Sequence, residues 1–300
     1  MSTKSIPTIL KKEAEKLSSE LMKKPLLQGM EAITEGNVNP QEEKPIEKTG
    51  YVIMLDVLGF REFVSKNKEE DFFSTWSALK KSLIDKKKSY DTDKNKTVTL
   101  DVLCLSDTLI ICLSYKDASM NSDSRYLLSS IPGIIDIFFM SFMIDHSIFF
   151  RGAISYGKFR FSSDENIVMG DAIDEVSSWY EANDWIGIIL APSAQYAREY
   201  IIEVKDKRRP KALERINRRF VKYDEIPFKD KFPPICSYAY YWFVQYKTLE
   251  QKSSNVKTVL EIFSKLKHDP SYALKYSNAI KFIRHFSNTE DDNKLVVPNK

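Results

Sequence analysis

The segment 98–115 constrains this chain more than any other. It reads VTLDVLCL, then Ser106-Asp107-Thr108, then LIICLSY: two β-branched, apolar runs separated by a tight turn. Three residues can close an antiparallel hairpin, whereas a parallel crossover needs a dozen or more. The hairpin sits between stretches of helical spacing. An apolar strand, YVIMLDVLGF (51–60), comes first, and an amphipathic helix, EEDFFSTWSALKKSLIDKKK (69–88), follows it with Phe72, Phe73, Trp76, Leu79 and Leu83 toward one face. After the hairpin come a long apolar helix over 125–146, with Pro132-Gly133 as a kink or boundary, and a strand over 147–159 ending at Gly157. A helix over 171–183, a strand over 186–192 and a helix over 193–203 complete the run. An embedded hairpin excludes a purely parallel, doubly wound sheet. The expected fold is α+β, a mixed sheet with helices mainly on one face.

The flanks differ from this centre. Residues 1–48 are rich in Lys and Glu, with Ile9, Leu10, Leu17 and Leu21 at helical spacing, and read as a helical arm and linker. Residues 49–200 form the α+β domain. Residues 201–300 form a C-terminal extension: a basic segment (205–220), strands near 219–223 and 235–246, and helices over about 254–267 and 270–287.

With 43% hydrophobic and 12% aromatic residues, the 300-residue chain has material for a core, which excludes global disorder. Its 45 basic and 42 acidic side chains nearly balance, so nothing global draws it to nucleic acid or membrane. Nucleic acid is not an expected partner, and the basic run reads as a solvated face. The stretch Ile131–Ile144 is too short to span a bilayer. Three irregularly spaced cysteines and three scattered histidines form neither a disulfide framework nor a zinc site, which suits a reduced, cytoplasmic protein. The N-terminus has no secretory signal pattern.

Two carboxylates carry the chemistry. Asp56 follows Val52-Ile53-Met54-Leu55, and Asp107 sits between two apolar strands. A carboxylate is costly there unless paired or bound to a metal. On adjacent strands the two would meet at one end of the sheet and suit Mg2+ or Mn2+, which also take phosphate oxygens. The loop Val57-Leu58-Gly59-Phe60 offers backbone N–H groups for a phosphate. The plain alternatives are a capping Asp56, an ordinary turn Asp107 and an Arg151 ion-paired within the sheet.

In order and spacing, LDVLGF (55–60), LSDTLII (105–111), FRGAISYG (150–157) and MGDAIDEVSSWYE (169–181) resemble the class III nucleotidyl cyclase domain over residues 50–195. With APSA and KYDEIPFK they look most like uncharacterised bacterial cyclase-like proteins. The resemblance implies a ferredoxin-like palm and a head-to-tail homodimer. It implies metal-binding, catalytic roles for Asp56 and Asp107, and cyclisation of a nucleoside triphosphate in bacterial signalling or antiphage defence.

The chain also departs from the family. Aligned on Gly170, the catalytic Asn falls on Asp174, the transition-state Arg on Ser178, and the base-selecting residue near Ile167. Lys158, Arg160 and the 205–220 run are the candidate replacement cations, with Lys158 expected to bind the nucleotide. A second reading is a degenerate module that senses a nucleotide or scaffolds a protein partner, and a third is a polynucleotide-acting palm enzyme, which a continuous positive groove leading to the aspartates would favour. Asp171, Asp174 and Glu175 are secondary catalytic candidates.

Overall fold

The computed structural model describes residues 46–58, 69–92, 97–116, 123–136, 148–162, 164–204, 207–229, 235–242, 257–264 and 270–288. Most of the expected N-terminal arm, Gly59 and Phe60 of the loop, and residues 137–146 of the expected long helix lie outside them.

The elements run in chain order as β1 (Lys48–Leu58), α1 (Glu69–Thr92), β2 (Val98–Leu105), β3 (Thr108–Tyr115), a 3-10 helix (Ser124–Ser130), α2 (Pro132–Asp136), β4 (Phe149–Ser162) and β5 (Ile167–Met169). They continue as α3 (Asp171–Ala182), β6 (Gly187–Leu190), α4 (Pro192–Val204), α5 (Pro210–Arg219), β7 (Phe220–Lys222), β8 (Tyr238–Tyr240), α6 (257–264) and α7 (Pro270–Asn288). The sheet is mixed, in the order β2-β3-β1-β4-β6-β8-β7, with β5 paired to β4. β1 runs antiparallel to both β3 and β4, and β4 runs parallel to β6. The two C-terminal strands, β7 and β8, extend this same sheet through β6.

β1 is its buried centre. Tyr51, Val52, Ile53 and Leu55 are fully buried, so both faces of the strand are covered. Cross-strand partners share a face, which places Val52, Asp56, Asp101, Arg151 and Ser155 together. α1 covers that face, where Lys87 donates to the Asp101 carboxylate at 3.1 Å, and so does α3, where the Ala172 carbonyl accepts from the Ser155 hydroxyl. The 3-10 helix lies on the other face: the Tyr51 hydroxyl donates to the Arg125 carbonyl at 2.8 Å. The expectation of helices mainly on one face is therefore corrected. The apolar residues of β1 alternate to both sides, and each side has to be buried.

Three smaller differences have local causes. The helix expected from residue 125 is divided at Ile131, because Pro132 has no N–H to continue the preceding turn and starts α2 instead. β4 runs through Gly157 to Ser162. Gly157 faces Gly50 within the β1–β4 ladder, so it does not end the strand. On α1, Leu79 and Leu83 are buried but Phe73 is 71% exposed.

Candidate functional site

Asp56 lies near the C-terminal end of β1, and its register partners are Thr108 on β3 and Arg151 on β4. The β2–β3 hairpin closes with the two-residue turn Ser106-Asp107. Ser106 takes a left-handed φ of 52°, the kind of backbone such tight turns require. The turn reaches β1 directly, because the Val57 N–H donates to the Asp107 carbonyl at 3.1 Å. The strand order thus brings Asp56 and Asp107 to one end of the sheet, with Val57 and Leu58 beside them.

The Asp56 carboxylate is not free. Arg151 Nε donates to its Oδ2 at 2.8 Å, with both side chains largely but not wholly buried. Burial pushes the Asp56 carboxyl above its ordinary value; Arg151 opposes the shift, while Asp107 and Glu181 add to it. Around the pair stand residues that local sequence patterns did not single out. Tyr180 and Glu181 come from the last turn of α3, and the Arg151 guanidinium lies 5.7 Å from the Tyr180 ring centroid. Lys229 is tied to the end of α3, since its N–H donates to the Ala182 carbonyl at 2.9 Å. Burial lowers the Lys229 ammonium, and its field is shared with Arg151, Glu181, Asp184 and Lys275. Lys275 of α7 pairs with Asp184 at 2.9 Å. The one signal for Lys229 was its place at the end of KYDEIPFK (222–229); nothing in that string tells that its last residue docks on α3.

Other expected residues lie elsewhere. Lys158 is a correction: it faces Thr49, seven residues along β1 from Asp56, about 23 Å at strand rise. There it pairs with Glu47 at 2.8 Å, and Arg160 approaches the same carboxylate at 3.9 Å, so neither reaches Asp56 within this chain. The basic run folds largely as α5, whose Arg219 pairs with Asp136. Glu175 accepts from the backbone N–H and hydroxyl of Ser193 at the start of α4, a structural use of its carboxylate. The Ser178 hydroxyl donates to the Asp174 carbonyl at 3.0 Å, and Ile167 is exposed on β5.

The donor set of Asp56 and Asp107 is chemically suited to a hard divalent cation. Such an ion would favour the charged form of Asp56 against the burial that raises it and the smaller repulsion from Asp107 and Glu181, and it ordinarily takes one or two carboxylates and completes its shell with phosphate and water. Among the described residues no three His, Cys, Asp or Glu side chains are grouped to hold a metal by themselves. No helix among them is long and apolar enough to cross a membrane. No protein-family model matches the chain, and no curated protein matches it in sequence.

Proposed function

We propose that the chain is a nucleotidyl-cyclase-like palm protein that binds a nucleoside triphosphate with Mg2+ or Mn2+ on Asp56 and Asp107. The observation that supports this reading is the docking of the hairpin turn on β1, through the Val57 N–H and the Asp107 carbonyl, at the end of the strand that carries Asp56. The antiparallel order β2-β3-β1-β4 is also that of a ferredoxin-like palm. A bound divalent ion would neutralise the phosphates and polarise the α-phosphate. In the cyclisation, the ribose 3′-oxygen attacks the α-phosphorus and gives up its proton. The bond from that phosphorus to the bridging oxygen breaks, and pyrophosphate leaves. Val57 and Leu58 are the last residues of β1, and the Val57 N–H expected to meet a phosphate is already given to the Asp107 carbonyl. A homodimer acting in bacterial signalling or antiphage defence in the cytoplasm fits the same reading.

A second reading, a degenerate nucleotide sensor, is favoured by two observations. Arg151 already compensates Asp56, and α3 carries no basic residue over Asp171–Ala182. Titration calorimetry with each nucleoside triphosphate, with and without Mn2+, on wild type, Asp56→Asn and Asp107→Asn tests both, alongside mass spectrometry of the products. Metal-dependent binding lost in both variants, with a cyclic product from wild type, supports the enzyme. The same binding pattern without product supports the sensor. Identical behaviour of the three folded proteins removes the site.

A further inference from the structure

Residues 207–219 hold seven Lys or Arg side chains against Glu214 alone, a formal charge of +6 in a chain whose total is +3. The remaining residues together carry −3, so the positive charge of the molecule is concentrated on one helix and the turn before it. α5 is anchored by its apolar side: Ile216 is fully buried, and Ala212 and Leu213 pack against the core. Lys211, Arg215 and Arg218, at i, i+4 and i+7, fall on the opposite side and are exposed, as are Lys207 and Arg208 in the preceding turn.

By composition this run is a solvated helix face; the fold sets aromatic rings beside it. The 3-10 helix links α5 to α4. The Arg209 guanidinium lies 4.6 Å from the Tyr126 ring centroid, and Arg215 donates to the Ser129 carbonyl at 3.3 Å. Arg125, one residue before Tyr126, lies over the ring of Tyr200 on α4 at 3.4 Å from its centroid. Tyr196 and Tyr200, one helical turn apart, are 67% and 45% exposed. Glu199 and Glu203 also reach solvent on α4, so α4 supplies rings to this face and α5 supplies its charge.

We propose that α5 and the exposed side of α4 form a binding face for single-stranded nucleic acid, with Lys211, Arg215 and Arg218 on the phosphates and Tyr196 and Tyr200 stacked on bases. The near-balance of the whole chain gives no reason to expect this partner; the concentration of charge and the rings next to it do. Cations attract any polyanion, whereas exposed rings favour one whose bases are free to stack, and in a duplex they are not. An anionic membrane fits less well: a helix lying in a bilayer surface inserts its apolar side, and that of α5 is buried against the core. The 3-10 helix lies on the face of the sheet away from Asp56, so this surface and the triphosphate site stand or fall separately.

Fluorescence anisotropy of the full chain with labelled oligo-dT and oligo-U of about 20 nucleotides tests the proposal. Wild type should bind both, and three to four phosphate contacts would make its affinity fall about 20–50-fold between about 50 and 200 mM salt. The combined variant Lys211→Gln, Arg215→Gln, Arg218→Gln should bind about tenfold or more weakly at low salt, with the slope of log affinity against log salt reduced by about 2. Tyr196→Ala should weaken binding about fivefold or more and leave that slope unchanged, because stacking releases no counterions. A matched variant, Lys80→Gln, Lys81→Gln, Lys88→Gln, removes the same charge from exposed positions of α1 on the other face of the sheet and should bind as wild type does. Circular dichroism melts check that each variant is folded. Equal loss in the α1 variant would show that binding follows net charge, and overturns the proposal. So does a wild type that binds neither oligonucleotide. A Tyr196→Ala variant without effect, or equal binding of a duplex, would make the face a general attractor of polyanions and overturns it too. Tighter binding to vesicles containing phosphatidylserine than to either oligonucleotide would assign the face to a membrane instead.

Discussion

The molecule contains two Asp–Arg pairs of similar burial and different finish. Asp136, at the end of α2, accepts from Arg219 through one oxygen and from the Tyr240 hydroxyl through the other, and Arg219 also donates to the Tyr241 carbonyl at 3.2 Å. The Asp136 and Arg219 side chains are 10% and 11% exposed. At Asp56 and Arg151 the corresponding figures are 14% and 17%, yet one hydrogen bond joins them, and Asp107 and Glu181 press further negative charge on the carboxylate. The first pair ties α2 to the β7–β8 end of the sheet with both carboxylate oxygens in use. The second leaves capacity open on both partners at the end of the sheet where the hairpin docks. Burial alone does not separate a structural ion pair from a site; the number of donors and acceptors left over does.

The largest expected difference between the pairs is in stability. Arg219→Gln leaves Asp136 buried without its cation and should cost about 3–5 kcal/mol, read as a lowered denaturant midpoint with an unchanged slope. A loss below about 1 kcal/mol would mean that the Asp136 network is no better satisfied than the other pair.

A smaller effect separates the pairs by pH. The folded state holds the Asp56 proton more tightly than the unfolded chain, since its carboxyl is raised. Its contribution to stability is therefore present at low pH and lost as pH rises through the folded value. Asp56→Asn removes that dependence. Thermal melts should show the variant gaining on wild type as pH rises from about 4 to about 7. A gap that stays constant over that range would show Asp56 to be as fully compensated as Asp136.

The smallest effect is expected at the exposed Lys158–Glu47 pair at the far end of β1. Lys158→Gln should leave both the melting temperature and nucleotide binding unchanged, because water screens that pair. A clear loss of nucleotide binding in this variant would move the site, or bring Lys158 to it from a second copy.

The contrast also separates what local pattern encodes from what pairing decides. The apolar run Tyr51–Leu55, the hairpin about Ser106-Asp107 and the helix after Gly170 were readable because each is set by neighbours within a few residues. Gly170 takes a φ of 128°, and a Cβ there would sit 2.7 Å from the Lys158 carbonyl. Arg151 was readable as an ion-pairing residue within the sheet, but its partner was not. The partner depends on the β1–β4 register, which joins residues 95 apart. Lys158 misled for the same reason: in the string FRGAISYGK it is close to Arg151, yet an extended strand carries it to the other end of the sheet. Tyr180 and Glu181 reach the site through the packing of α3 on the sheet, and Lys229 through the docking of the 227–229 segment at the end of α3, tertiary events with no periodicity to announce them.

The central place of β1 also has a consequence for synthesis. Both of its hydrogen-bonding neighbours, β3 and β4, are translated after it. At roughly 5–20 residues per second, the interval between Asp56 and Arg151 leaving the ribosome is about 5–20 s. Throughout it the run Tyr51–Leu55 has at least one unpaired edge, a template for joining another nascent chain. A product truncated before Phe149 would keep that edge open permanently. It would also hold Asp56 and Asp107 without the arginine that balances them, so a stalled chain is expected to self-associate and to require a chaperone that shields extended apolar segments.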